Sequence, residues 1–485
     1  MRNNHISHKK AHFIGIGGIG VSALVRYYLS RGWEVSGSDV NSSPLLRELK
    51  KEGVKVKIGH RKRNVSSSTD LVIYTQALPR DNPELKEARR QKIRTLTYPQ
   101  ALGRVTRDFT TIAIAGTHGK STATALTALT LIEAKMDPTV IVGTKIPQLQ
   151  GKNFRRGKSK YLVIEADEYK DAFLHYSPTA VLITNIDREH LDYFRDLNHI
   201  KRSFLKFISN LRPSNLTRFN LVRLRGGGIL VLNKDSAPLF SLRNKIRIKI
   251  RIKFKPKIIW YSLREKALAR KIKKHLKIPG EHNVSNALGV YKLARALGVR
   301  EKDIFKAFSR YHGSWRRMEY RGRLAISDLR FAVPVYDDYA HHPTEIKATL
   351  AAFREKFPKA KIICVFQPHQ RERLKKLFKE FTFAFDEANV LIILDIFKVR
   401  GRDPSTSSGQ GGKFNSKKLA EAIERRKNGP RDTYLPKSSL LRDSITQNLL
   451  EFAIRDLRFA SRGAVVVMMG AGDIVELTPR LVSRI

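Results

Sequence analysis

The chain has 485 residues, 41% of them hydrophobic, with 93 Lys/Arg against 44 Asp/Glu and a formal net charge of +49. That length exceeds what one hydrophobic core usually serves and predicts about three domains of ~100–200 residues each, and the composition excludes fibrous and wholly disordered classes. Cys364 is the single cysteine, so an intrachain disulfide and a cysteine-cluster metal site are excluded, which suits a reducing cytoplasm.

Residues 11–16 read as a strand that runs into Gly15-Ile16-Gly17-Gly18-Ile19-Gly20 and then a helix over 21–30. A second strand over 34–37 ends at Ser38-Asp39, completing a βαβ unit. Lys9 and Lys10 ahead of an apolar stretch imitate a signal peptide, but the glycines favour a strand and phosphate turn. Such a turn brings backbone N–H groups and a helix N-terminus against a diphosphate, and Asp39 suits a ribose or base. NAD, FAD or a UDP-sugar all fit, as does a tight turn without ligand.

A strand over 109–115 leads into Gly116-Thr117-His118-Gly119-Lys120-Ser121-Thr122 and a helix reaching about Ala134. Backbone donors, a lysine for the β/γ-phosphates and a hydroxyl for Mg²⁺ make ATP the natural ligand, although the two glycines are closer together than in the usual P-loop. Strands over 161–164 and 180–184 follow, ending near Glu165 and Asn185, with His190 beyond. Their successive strand ends should line the crevice of an open α/β sheet. Glu165 and His190 are therefore candidates for a divalent ion, and a structural role for each competes.

Between Ser241 and Lys277 there are 15 Lys/Arg and one acid, Glu265. Residues 246–254 alternate apolar and basic side chains, which predicts an edge strand or hairpin with one cationic face, solvated or serving as a nucleic-acid or lipid surface. Residues 211–228 read as a surface insertion and 404–412 as a loop; Asp-Leu-Arg-Phe-Ala occurs at both 328–332 and 456–460 with no function assigned. Pro279-Gly280-Glu281-His282-Asn283-Val284-Ser285-Asn286 places amides three apart on one helical face, suited to an adenine edge or to a helix cap.

A third α/β domain is expected after residue 313, with strands over 333–336, 361–366, 389–394 and 464–469. The runs Asp337-Asp338-Tyr339-Ala340-His341-His342 and Gln367-Pro368-His369-Gln370-Arg371-Glu372-Arg373 each follow a strand and line a cleft mouth. Adjacent histidines seldom point the same way, so substrate orientation competes with metal binding there. No Gly-x-Ser-x-Gly turn occurs and Cys364 lies in a buried strand, so covalent Ser or Cys catalysis has no support. No run approaches the ~18 apolar residues of a spanning helix.

Taken together, Gly15-Ile-Gly-Gly-Ile-Gly, Ala115-Gly-Thr-His-Gly-Lys-Ser-Thr, Glu165-Ala-Asp-Glu, Thr184-Asn-Ile with His190, Gly280-Glu-His-Asn, Asp337-Asp-Tyr-Ala-His-His-Pro and Phe366-Gln-Pro-His resemble the Mur ligases in content and order. The resemblance covers nearly the whole chain. It implies an α/β architecture with an N-terminal Rossmann-like UDP-sugar domain (1–109), a central P-loop ATPase domain (110–312) and a C-terminal Rossmann-like domain that receives the amino acid (313–485).

The implied reaction is amide formation between UDP-N-acetylmuramate and L-alanine through an acyl phosphate, in cytoplasmic peptidoglycan precursor synthesis, with ATP and Mg²⁺ (or Mn²⁺). By motif position, Lys120, Glu165, His190 and His341 are implied as catalytic, with Ser121, Glu165 and His190 at the metal. Gly116, Thr117, His118, Gly119, Lys120, Ser121, Thr122, His282, Asn283, Asn286, Arg317 and Asp338 are implied at ATP. Gly15, Gly17, Gly18, Gly20, Ser38, Asp39 and Thr75 are implied at the UDP-sugar, and Tyr339, His341, His369 and Arg373 at the amino acid.

Ser121, Ala340 and Gln370 depart from the commoner family residues. A monomer or homodimer is expected, with no nucleic-acid partner despite the charge. The competing readings are a recycling ligase that joins the same sugar nucleotide to a preformed peptide, a nicotinamide-dependent oxidoreductase, and a nucleic-acid-binding protein.

Overall fold

The structure, a computed structural model, describes residues 9–213, 227–251, 256–325, 332–397, 414–427, 429–436, 441, 443–448 and 463–482. The chain divides into two compact units, one comprising Met1–Asp187, Leu197–His275 and Ser285–Tyr311, the other Arg188–Asp196, Leu276–Val284 and His312–Ile485.

The first unit holds two sheets. Strands β1 (Lys10–Ile14), β2 (Glu34–Asp39), β3 (Lys55–Ile58), β4 (Leu71–Tyr74) and β5 (Arg94–Thr97) are all parallel, in the order β3-β2-β1-β4-β5. The chain reverses its direction of winding at β1, so the crevice of this sheet opens at the end of β1, where the first glycine turn begins. Ala11, Phe13 and Ile14 are buried, as expected of a parallel strand covered on both faces.

The second sheet has β6 (Thr110–Ala115), β7 (Thr139–Ile146), β8 (Lys152–Arg155), β9 (Tyr161–Ala166), β10 (Ala180–Ile183), β11 (Ile229–Asn233) and β12 (Lys257–Tyr261), in the order β12-β11-β10-β6-β9-β7-β8. Among the described residues of this sheet only β7 and β8 pair antiparallel. β6 lies between β10 and β9, and the second glycine turn leaves its end into the helix Lys120–Glu133. Small Ala and Thr side chains let that helix lie close to the sheet, where Ala123, Leu126 and Ala128 are fully buried.

The second unit holds β13 (Glu319–Leu324), β14 (Val333–Asp338), β15 (Lys361–Phe366), β16 (Val390–Leu394), β17 (Arg431–Leu435) and β18 (Ala464–Met469), in the order β13-β14-β18-β15-β16-β17. β13 runs antiparallel to β14. Two apolar layers cover this sheet, one built on Phe353, Phe366 and Phe381 and the other on Val335, Ile363 and Val466. Cys364 is buried in the first layer, and burial raises its thiol pKa. Among the described residues, no helix is long and apolar enough to cross a membrane.

The edge strand expected over 246–254 is not found: Arg243–Arg251 is a helix, and residues 252–255 lie outside the described residues. Ile246 is 0% exposed and donates its N–H to the carbonyl of buried Leu242, four residues earlier, whereas Ile248 is 66% exposed. Alternation places every second pair of apolar residues four apart, which a helix reads as one stripe, and Lys and Arg are good helix formers. The insertion centred on 214–226, the segment 398–413 and residues 451–460 with the second Asp-Leu-Arg-Phe-Ala lie outside the described residues, as does 328–331 of the first copy.

Candidate active site

The first glycine turn is hung on the end of β2. Gly15 and Ile16 donate their N–H groups to the Ser38 carbonyl at 2.8 and 3.1 Å, and Gly17 donates to the Asp39 carboxylate at 2.7 Å. Thr75, just past β4, donates its N–H to Ile14 at 3.1 Å. Gly18 caps the helix Ile19–Ser30 without a side-chain bond, and Gly20 lies against the Tyr98 ring. The nominated residues Gly15, Gly17, Gly18, Gly20, Ser38, Asp39 and Thr75 are thus one constellation. Beside it, a cavity of about 500 Å³ is lined by Thr75, Thr97, Arg80, Arg89 and Lys170 among others, giving it a cationic wall.

The second turn is built more tightly. Gly116 has φ 134°, and a Cβ there would lie 2.0 Å from the Thr184 hydroxyl; Gly119 has φ 80°, and a Cβ there would lie 2.5 Å from the Asn286 side-chain oxygen. Both positions therefore require glycine. The turn is laced to the end of β10: His118 donates its N–H to Asn185 Oδ1 at 2.9 Å, Thr184 donates to the His118 carbonyl at 2.6 Å, and Asp187 donates its N–H to Thr117 Oγ1 at 2.9 Å. The His118 ring stands 3.2 Å from Asp187.

Charge is concentrated where this turn enters its helix. Lys120 Nζ donates to Glu168 at 2.8 Å and to the Thr117 carbonyl at 3.2 Å, and lies 3.8 Å from Asp167. Ser121 donates to Glu165 Oε1 at 3.0 Å, and Gly143 N–H donates to Glu165 Oε2 at 2.9 Å. Burial disfavours the Lys120 charge, but Glu168, Asp167 and Glu165 outweigh it and hold the ammonium protonated. Burial raises the Glu165 carboxyl against Lys120, Gly143 and Ser121, and pushes Glu168 up to about 7 against Lys120.

Three carboxyl groups, the buried Glu168, the partly buried Glu165 and the exposed Asp167, thus gather around one ammonium. The oxygen-rich set of Ser121 and Glu165 fits a hard divalent ion such as Mg²⁺. Thr122 is buried on the first helical turn, and Asn286 is on the helix Glu281–Ala296.

The remaining nominated residues belong to the second unit. Arg373 donates from Nε to Glu189 Oε1 at 3.0 Å and from Nη1 to the His369 carbonyl at 3.1 Å, with His369 Nδ1 at 3.2 Å. Burial would raise the Glu189 carboxyl, but Arg373, His190, His342 and His341 hold it well below the usual range. His190 has φ 52° and donates its N–H to Glu189 at 3.0 Å.

His341 and His342 diverge, as adjacent residues should. His341 Nδ1 bonds the Tyr339 carbonyl at 2.9 Å, while His342 Nε2 bonds the Arg188 carbonyl at 2.9 Å and Nδ1 caps the helix Pro343–Lys356. Burial and Arg373 push the His341 pKa down to about 4. Asp338 accepts N–H bonds from Met318 and Ala340, both at 2.8 Å, and Arg317 stacks 5.0 Å from the Tyr339 ring centroid. Burial and Arg317 lower the His282 pKa to about 4, and Asn283 donates to the Pro279 carbonyl at 2.7 Å.

Residues 10–110 match the Mur ligase family catalytic domain, residues 114–294 the Mur ligase middle domain, and residues 316–472 the Mur ligase glutamate ligase domain. A UDP-N-acetylmuramate–L-alanine ligase of Clostridium perfringens is 35% identical over 97% of this chain and 96% of its own. The chain belongs to the Mur ligase family. A UDP-N-acetylmuramate–L-alanine ligase of Acetivibrio thermocellus is 37% identical over 97% of this chain and 94% of its own. The crystal structure of UDP-N-acetylmuramate-alanine ligase from Thermotoga maritima superposes with a TM-score of 0.72 at 25% identity, covering 98% of both chains.

This Mur ligase carries partners that the sequence reading did not nominate. Asp167 and Glu168 lie within the Glu165-Ala-Asp-Glu run, where acids crowded at a strand end were a usable signal. Asn185 and Asp187 lie within the three residues after Thr184. Glu189 offered only its place beside His190, and its pairing with Arg373, 184 residues away, has no local signature.

Proposed function

We propose that the protein is an ATP-dependent UDP-N-acetylmuramate–L-alanine ligase acting in peptidoglycan precursor synthesis in the cytoplasm. The muramoyl carboxylate attacks the γ-phosphoryl group of ATP, ADP leaves, and the amino group of L-alanine displaces phosphate from the acyl phosphate to form the amide. The observation that carries this reading is the Lys120 ammonium at a glycine-lined helix start, hydrogen-bonded to Glu168 and next to the Ser121–Glu165 pair. The full-length relatives named above support the choice of acid and amine.

The residues divide the work by their chemistry. Backbone N–H groups of the Gly116–Thr122 turn and Lys120 receive the triphosphate, and Lys120 stabilises charge that moves onto the phosphoryl oxygens during transfer. Ser121 and Glu165, with His190, are proposed to hold Mg²⁺. When bound, the ion screens the phosphate charge from the incoming carboxylate. His282, Asn283, Asn286, Arg317 and Asp338 are proposed at the nucleotide. His282 and His341, neutral at physiological pH, are suited to hydrogen bonding without adding charge.

The N-terminal region (1–109) is proposed to take the UDP-sugar through Gly15–Gly20, Ser38, Asp39 and Thr75, and the cationic cavity supports an anionic ligand there. The central region (110–312) takes ATP. The C-terminal region (313–485) takes L-alanine near Tyr339, His341, His369 and Arg373. ADP release should require UDP-N-acetylmuramate, L-alanine, ATP and Mg²⁺ together. Equal turnover with glycine, serine or a tripeptide reassigns the acceptor.

A further inference from the structure

The reading above leaves unused a polar network behind the first glycine turn. Glu84, at the start of the helix Pro83–Arg90, is 0% exposed. Its Oε2 accepts hydrogen bonds from Ser38 Oγ at 2.6 Å and His12 Nε2 at 2.9 Å. Its Oε1 accepts from Asn64 Nδ2 at 2.7 Å and from the Arg61 N–H at 3.1 Å, with His60 Nδ1 at 3.4 Å. His12 lies in β1 and also meets Ser36 of β2 at 2.9 Å. One carboxylate therefore ties together β1, the end of β2 and the segment after β3.

Stability alone does not call for this arrangement. A buried ionic cluster is weak evidence for stability, because an apolar replacement of similar volume is often at least as stable. A saturated buried network does fix geometry. What it fixes is Ser38, whose hydroxyl is held by Glu84 and whose carbonyl receives the Gly15 and Ile16 N–H groups. Asp39, the next residue, receives Gly17 N–H.

We propose that Glu84 is a positioning residue for the sugar nucleotide: by holding Ser38 it sets the turn Gly15–Gly17 and the Asp39 carboxylate before the ligand arrives. This rests on the reading of that turn as the UDP-N-acetylmuramate site. A site ordered in advance loses less freedom on binding, so loosening it weakens affinity for the ligand it serves and no other. Among the described residues the side-chain hydrogen bonds of Glu84 go to His12, Ser38, His60, Arg61 and Asn64 and not to the Lys120 turn, so ATP use is independent of it.

The test is steady-state kinetics of the full chain with melting temperature measured alongside. Glu84→Gln should raise the KM for UDP-N-acetylmuramate about 10-fold, the scale seen when a group that orients a binding residue is removed. The KM for ATP and kcat should stay within about twofold of wild type. Asn64→Ala removes one donor from the same carboxylate at a partly exposed position, should raise the same KM by a smaller factor, and decides the matter if Glu84→Gln does not fold.

An unchanged KM for the sugar nucleotide in the folded variants, whatever their melting temperatures, overturns the proposal. Asp39→Ala separates the two levels of argument. If it alone raises that KM, only the role of Glu84 fails. If none of the three variants does, the turn is not the UDP-sugar site and both readings fall.

Discussion

The two glycine turns of the first unit leave strands at the centre of their sheets, and each has a buried carboxylate close behind it, yet the two carboxylates are shifted in opposite directions. Burial would raise Glu84, but hydrogen bonds from His12, His60, Ser38 and Asn64 outweigh it and hold the group well below the usual carboxylate range. Glu168, buried beside Lys120 and close to Asp167, is pushed up to about 7. The first network answers its charge internally with donors fixed by the fold. The second gathers Glu165, Asp167 and Glu168 around Lys120. A carboxyl raised by burial beside a lysine is the pattern expected at a functional site, and one held down by hydrogen bonds fixed in the fold is the pattern of a scaffold.

The sharpest way to break this contrast is Lys120→Ala. It removes the cation from the second cluster and should lower ADP release by about 10³-fold, the upper range for loss of one charge-stabilising donor. The KM for UDP-N-acetylmuramate should be unchanged. Residual turnover near wild type would show that the turn does not grip the transferred phosphoryl group. Glu165→Gln comes next, with an expected loss of about 10²-fold and an Mg²⁺ titration displaced to higher concentration. An undisplaced titration would remove Glu165 from the metal.

Stability against pH gives a smaller effect whose sign separates the two carboxylates. A Glu84 carboxyl held below its ordinary value contributes stability that is complete above about pH 4.3 and is lost as pH falls through the lower folded value. A Glu168 carboxyl raised to about 7 contributes stability that is present below about pH 4.3 and is lost as pH rises through 7. Melting of the nucleotide-free chain should therefore lose its steepest acid limb in Glu84→Gln and lose its decline between about pH 5 and 8 in Glu168→Gln. Parallel pH profiles for the two variants would erase the distinction.

The elements that position the site were legible because parallel strands buried on both faces appear as short apolar runs, as at β6, β15 and β18, each followed by a turn and a helix pattern. The glycine turns were legible because their geometry is local: the positive φ at Gly116 and Gly119 demands the residue type itself. Glu84 was not legible, because the helix Pro83–Arg90 is rich in charged side chains and reads as solvated, and its burial depends on donors from His12, Ser38 and Asn64 far away in sequence. Arg373 was nominated for substrate from its motif, while the Glu189 carboxylate that orients it belongs to a segment nearly two hundred residues earlier. Partners set by tertiary contact leave no periodicity to read.

The basic segment offers the gentlest test, and it compares a buried side chain with an exposed one of the same type. Ile246 and Ile248 are equivalent in an alternating strand, since both fall on one face. In the helix Arg243–Arg251 they are two residues apart and point in different directions, Ile246 fully buried and Ile248 at 66% exposure. Ile246→Ala should destabilise by about 2–5 kcal/mol, as for a core aliphatic residue. Ile248→Ala should change stability by no more than about 0.5 kcal/mol, as for an exposed position. Denaturant midpoints at constant m-value measure both. Equal losses at the two positions would restore the edge strand that the alternation suggested, whereas a loss confined to Ile246 shows that four-residue spacing, and not the two-residue alternation, carries the packing of this segment.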